Sequence, residues 1–131
     1  HEKGLLEGIP GSLPALTQAE TYQKRAARVG FDWEDIQGVL AKIPEEIGEL
    51  KEESSLERQS AEIGDLLFSV VNLARWLEID AESALRHANQ RFKMRFKYIE
   101  KEARANQREL SSMSLEELDL LWEQSKTILG D

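Results

Sequence analysis

Cysteine is absent from this chain of 131 residues, which excludes disulfides and thiolate metal sites and leaves the redox compartment undetermined. Histidine is scarce, and His87 is the only internal one. Its place three residues after Ala84 leaves no Glu-x-x-His pair of the kind that di-iron helical bundles use. His87 is therefore read as a surface or structural residue. A long apolar run is missing as well. The stretch from Leu66 to Leu77 is interrupted by Ser69, Asn72 and Arg75, and it falls short of the ~20 residues that a membrane span needs. No secretory signal pattern opens the chain, so the expectation is a soluble cytoplasmic protein with no membrane partner. Positive charge is not in excess. A net charge of −8 argues against binding a nucleic-acid polymer, which selects basic surfaces. Strand-like alternation and any repeat of fixed period are lacking too.

Helical signals are plentiful. Apolar residues make up 40% of the chain, enough for a modest core, and charged residues make up 32%, as expected for solvated helix surfaces. Residues 1–12 contain Gly4, Gly8 and Pro10 without periodicity, and read as a lead-in or linker before a helical domain over 13–131. Ser12 is expected to cap a helix from about Leu13 to Arg28, with Gly30 just past its end. Asp32 is expected to cap a second helix from Trp33, which Pro44 either kinks or replaces with a new start. Helix continues over Glu45 to Glu53, with Ile47 and Leu50 facing inward, and Ser54 and Ser55 mark a turn. A long helix over Leu56 to Leu77 carries a broad apolar stripe at Leu66, Leu67, Val70, Val71, Ala74 and Leu77. Asp80 caps a helix from Ala81 to about Ala105, with Leu85, Phe92, Phe96 and Ile99 inward. Ser114 and Glu117 form a capping-box pattern for a last helix that ends before Gly130. The fold class is all-α, a bundle of five or six helices. Its broad stripes predict a homodimer that completes a four-helix core.

Two acidic quartets stand out. Glu46 and Glu49, then Glu62 and Asp65, are each three residues apart and so share a helix face. Four carboxylates brought to one point repel unless a hard cation such as Mg²⁺ neutralises them. A solvated helix face is the plain alternative, and Glu45 and Glu46 after Pro44 also suit a helix start. Gly48 and Gly64 sit inside the quartets and weaken a helix, so close backbone approach or room for a ligand is expected there. The helix after Asp80 and its tail hold eight of the 17 basic residues, and Arg91 and Arg95 share a face. Carboxylates for a divalent cation and arginines for phosphate oxygens are the two halves of a polyphosphate site. On charge alone, that reading and a solvated, salt-bridged surface are evenly matched.

The pattern Glu45-Glu46-x-x-Glu49, a spacer, then Glu62-x-x-Asp65 resembles the signature of MazG-type nucleoside triphosphate pyrophosphohydrolases. The likeness extends through Gly8 to Leu16, Gln23-Lys-Arg25, Val29 to Trp33, Gly64 to Phe68, Val71 to Arg75, and Ala88 to Phe92 with Arg95-Phe96. It covers nearly the whole chain and is similar to a C-terminal MazG domain. The resemblance implies an α-helical dimer that binds Mg²⁺, with Mn²⁺ as a substitute, and that cleaves nucleoside triphosphates to monophosphate and pyrophosphate. It implies Glu46, Glu49, Glu62 and Asp65 as metal ligands, Arg91 and Arg95 on the phosphates, and Trp122 stacked on the base. Arg91 stands where the family commonly has lysine, offering a fork in place of a point donor. Trp76 stands where relatives often have histidine and is assigned to packing, and Pro44 is a departure at the start of the acidic helix.

In the reaction so implied, water attacks the α-phosphorus. Glu45 or Glu49 orients or deprotonates it, Lys42 joins the arginines on the outer phosphates, and Trp33 and Phe31 are further stacking candidates. The competing reading is a non-catalytic or regulatory dimerisation domain of a tandem protein, because the chain opens abruptly at His1 on a lead-in of C-terminal type.

Overall fold

A computed structural model describes residues 4–130. Among them are five α-helices, one 3₁₀ turn and no strand, so the all-α expectation holds: α1 (Ala15–Arg28), α2 (Ile36–Glu52), α3 (Leu56–Trp76), α4 (Ala81–Ala105) and α5 (Leu115–Leu129), with the 3₁₀ turn at Leu110–Ser112. They form two compact units, one through Ala84 and one from Leu85.

In the first unit α2 packs along α3, and α1 packs on α3. Val39 of α2 and Val71 of α3 are fully buried in this unit. Burial of such a side chain stabilises by roughly 1.5–3 kcal/mol, so these two are core residues of the helices on which the acidic residues ride. Ile47, expected inward, is instead 39% exposed.

The local signals explain most boundaries. Pro14, not Ser12, precedes α1 as its N-cap and makes no side-chain cap bond. The Gln18 amide does the tethering, donating to the carbonyls of Gly11 and Leu13. Gly30, at φ +89°, ends α1, and the N–H groups of Gly30 and Phe31 reach back to Ala27 and Ala26. Asp35, not Asp32, caps α2, its carboxylate accepting from the N–H groups of Gln37 and Gly38. The Asp32 carboxylate is drawn to Arg75 and Trp76 of α3, and the helix therefore starts one turn later than expected. Pro44 neither ends nor restarts a helix, and α2 runs through it. Pro44 is exposed, so the ring lies on the solvent side, where water can meet the carbonyl it leaves free.

Ser55 caps α3 by accepting from the N–H of Arg58, and Asp80 before α4 accepts from the Ser83 hydroxyl. In the second unit Ser114 and Glu117 form the expected reciprocal capping box, and α5 ends at Gly130. Ile99 and Ala103 of α4 and Ser125 of α5 are buried. Leu85, Phe92 and Phe96, expected inward, are exposed at 49%, 59% and 39%. Among the described residues no helix is long and apolar enough to cross a membrane.

Candidate functional site

The α2–α3 contact brings acids from two sequence segments together. Carboxylate oxygens of Glu46, Glu49 and Glu62 lie within 4.8 Å of one another. The spacing of Glu46 and Glu49 aims both from one face of α2, and the packing of α2 along α3 brings Glu62 to meet them. Asp65, one turn further along α3, falls outside that trio and lines the adjoining cavity together with Glu46.

Burial makes this cluster unlike a solvated acidic face. Glu46 is 4% exposed, and one oxygen each of Glu46 and Glu62 is buried with no hydrogen-bond partner. A buried carboxylate oxygen left unpaired is costly, and a divalent cation satisfies it. The donor set, oxygen only and anionic, suits a hard cation such as Mg²⁺ rather than a soft one. Burial, with Glu46 and Glu49 beside it, pushes the Glu62 carboxyl up to about 7. Lys42 holds Glu46 below the usual carboxylate range, with its ammonium 3.0 Å from Glu46 and 3.3 Å from Glu45. Glu45 itself faces solvent. The repulsion within the trio is eased by the Lys42 ammonium beside Glu46 and by the upward shift of Glu62, and a divalent cation in the same place would relieve it further.

The cavity beside the acids has a volume of about 610 Å³ and lies wholly within the first unit. Tyr22, Phe31, Trp33 and Phe68 give it aromatic walls, and Lys42, Glu46 and Asp65 lie at its acidic end. Arg75 grips Asp32 in two bonds of 2.6 and 3.1 Å and also donates to the Asn72 side-chain oxygen at 2.8 Å. The Trp76 indole N–H also reaches Asp32, so Trp76 has a hydrogen-bonding role besides packing.

The glycines inside the quartets are not points of close approach: a Cβ at Gly48 or Gly64 meets nothing within 4 Å. The close approach is at Gly38, where a Cβ would lie 2.8 Å from Cε3 of Trp33. Gly38, Gln23, Asp32 and Arg75 are the residues that sequence reasoning gave no site role. Three of the four lie in or beside segments that carry the family resemblance, which was the only signal for them.

Arg91, Arg95 and Trp122 belong to the second unit. Arg91 is exposed, and the Arg95 guanidinium lies 5.3 Å from the centre of the Trp122 ring, a cation–π contact. Phe92 tilts against the same indole at 5.5 Å.

No family model matches the chain. It is similar to a protein of Thermotoga maritima named nucleoside triphosphate pyrophosphohydrolase/pyrophosphatase MazG, with 46% identity over 114 residues, 87% of this chain and 45% of the relative. The nucleoside triphosphate pyrophosphohydrolase of Escherichia coli K12 is 43% identical over 126 residues, 92% of this chain and 48% of the relative. The uncharacterised protein YabN of Bacillus subtilis is 45% identical over 95% of this chain and 26% of its own length. The chain thus spans about half the length of the two named enzymes it matches. Identity of 43–46% across about nine-tenths of the chain, together with an all-α fold, places it in the family of the MazG nucleoside triphosphate pyrophosphohydrolases.

Proposed function

We propose that this chain is a nucleoside triphosphate pyrophosphohydrolase domain that cleaves ribo- and deoxyribonucleotides between the α and β phosphates. The observation that carries the reading is the buried convergence of Glu46, Glu49 and Glu62, with two orphaned carboxylate oxygens. The names of the similar proteins supply the reaction class.

Glu46, Glu49, Glu62 and Asp65 would hold Mg²⁺, with Mn²⁺ as a substitute. When bound, the ion supplies charge neutralisation at the phosphate oxygens and a water of lowered pKa. The protein's own groups do the positioning. Glu49, the most exposed of the trio, accepts a hydrogen bond from the attacking water and aims it at the α-phosphorus. Glu45 is the alternative for that role, since it needs only to be released by Lys42. Lys42 lies at the acidic end of the cavity and donates to a phosphate oxygen once its carboxylate partners are taken. Arg91 and Arg95 are assigned to phosphate oxygens, and Trp122 to the base, on family resemblance alone. The protein acts as a cytoplasmic homodimer in this reading.

Glu49→Gln and Asp65→Asn each keep the side chain's shape and remove its charge. Each is expected to reduce Mg²⁺-dependent pyrophosphate release to background with helicity by circular dichroism unchanged. Full activity in both variants removes the assigned metal site. A second reading, a non-catalytic or regulatory dimerisation half, is favoured by the chain spanning about half of the enzymes it resembles. Pyrophosphate release by this chain alone, across the common nucleotides with Mg²⁺, decides between the two.

A further inference from the structure

We propose that residues 4–8 form a strap that closes over the cavity of the first unit when a nucleotide is bound, with Leu6 as its closing side chain and Arg25 as the positioning residue that docks it; this rests on the pyrophosphohydrolase reading above. The strap is built locally. The Glu7 N–H donates to the Gly4 carbonyl at 3.2 Å, which folds residues 4–7 into a turn. Arg25, in the last turn of α1, donates from Nη1 to the carbonyls of Glu7 at 2.6 Å and Leu5 at 3.3 Å. Those two carbonyls flank Leu6, and Leu6 lines the same cavity as Lys42, Glu46 and Asp65. A segment outside the helices thus supplies part of the wall beside the acids.

Three features make this wall movable. Leu5 and Leu6 are 46% and 45% exposed, so the strap rests on the helices without being packed into them. Segments with few buried contacts open at the low end of a protein's stability range. The residue after the turn, Gly8, has φ +82°, and a Cβ there would meet nothing within 4 Å. Glycine takes that conformation without steric cost and leaves it as easily, which suits a hinge. Beyond the hinge the chain is pinned, because the Gln18 amide holds the carbonyls of Gly11 and Leu13. The strap therefore swings on Gly8 between an anchor at Gly11 and a dock at Arg25. The part of Leu6 still in water is free to be buried on a ligand. A closed wall also keeps water from the acidic end, which strengthens the charge interactions made there by phosphates.

The chain has no cysteine, so Leu6→Cys gives one thiol on the strap. Its rate of reaction with a maleimide is measured in Mg²⁺, with and without a nucleoside triphosphate analogue carrying methylene in place of the α–β bridging oxygen. Labelling is expected to slow about tenfold with the analogue, because the open form is sampled less often. In the unmodified chain, hydrogen exchange at the amides of residues 5–8 is expected to slow by a similar factor, an arm that holds even where Leu6→Cys perturbs folding. Adding Arg25→Gln to Leu6→Cys removes the charged dock. It is expected to speed labelling of the ligand-free protein about tenfold, the effect of one charge-assisted hydrogen bond, and Arg25→Lys is expected to restore most of the slow rate. Exchange that stays unchanged with the analogue overturns the strap. So does a thiol shielded while the amides exchange at their old rate, since the ligand then covers Leu6 and nothing closes. Labelling indifferent to Arg25→Gln overturns the dock. Pyrophosphate release by the unmodified chain is measured alongside. Release without slowed exchange sinks the strap and leaves the reaction standing, whereas slowed exchange without release leaves the strap over a bound nucleotide and sinks the reaction.

Discussion

Asp32 shows how a single residue changes role when a distant partner is available. Its carboxylate binds Arg75 through two bonds of 2.6 and 3.1 Å, and the Arg75 side chain is only 13% exposed. An exposed ion pair contributes ~0–1 kcal/mol, but a two-pronged bond to a largely buried guanidinium is stronger. Asp32→Ala leaves Arg75 with Asn72 as its remaining side-chain partner and is expected to cost on the order of 2 kcal/mol in urea unfolding. A loss under about 0.5 kcal/mol would put the pair among the weak surface contacts. Arg75 also holds the Asp32 carboxyl below its usual range, so this contribution is present above the ordinary value of 3.8 and is lost as pH falls below it. None of this was legible in the local sequence. Asp32 and Asp35 both stand near a helix start, and only the position of Arg75, 43 residues away, decides which of them caps. The acids were easier to read, because two i, i+3 pairs advertise a shared face. Their pairing across two helices, and the exclusion of Asp65 from the tight trio, depended on packing.

At the scale of one element, α5 was the most legible because its start is wholly local. The Ser114 hydroxyl accepts from the Glu117 N–H at 3.1 Å, and the Glu117 carboxylate accepts from the Ser114 N–H at the same distance. Ser114→Ala is expected to cost about 1 kcal/mol, read by thermal or urea unfolding. Arg108 strengthens the same cap from outside the helix, reaching both Glu117 oxygens at 2.8 and 3.3 Å. It is the main reason that Glu117 is lowered to about 2 from an ordinary 4.5. The sign follows from the lowered value: the stabilisation is complete above 4.5 and disappears as pH falls through about 2. In an NMR titration the Glu117 side chain should therefore titrate near 2, and in Arg108→Gln its midpoint should rise. An unchanged midpoint in that variant assigns the shift to the helix end alone. The element that resisted reading was α2. Proline is disfavoured inside a helix, yet the chain continues through Pro44 because its ring faces solvent while Val39 and Glu46 on the same helix are buried. Tertiary burial overrode local preference there, and no residue near Pro44 signals it.

For the whole molecule, the apolar stripes of the helices are the feature that bears on assembly. Ile63, Leu67 and Val70 of α3 and Leu77 at its C-cap recur at spacings of four, three and seven residues, the rhythm of one helix face. All four are exposed, at 43%, 53%, 44% and 51%. On α4, Leu85, Phe92 and Phe96 repeat the pattern with exposures of 49%, 59% and 39%. Scattered apolar residues on a surface are ordinary, but a periodic stripe along a helix is what a partner helix covers. At roughly 25 cal/mol per Å², leaving such stripes in water forfeits several kcal/mol that an isologous contact with a second copy would recover. The chain is therefore expected to sediment as a dimer at micromolar concentration. Leu67→Lys, which places a charge on the exposed stripe, should shift it to monomer with its circular dichroism unchanged. A clean monomer in the unmodified chain would mean that the stripe on α3 is covered by something other than a second copy.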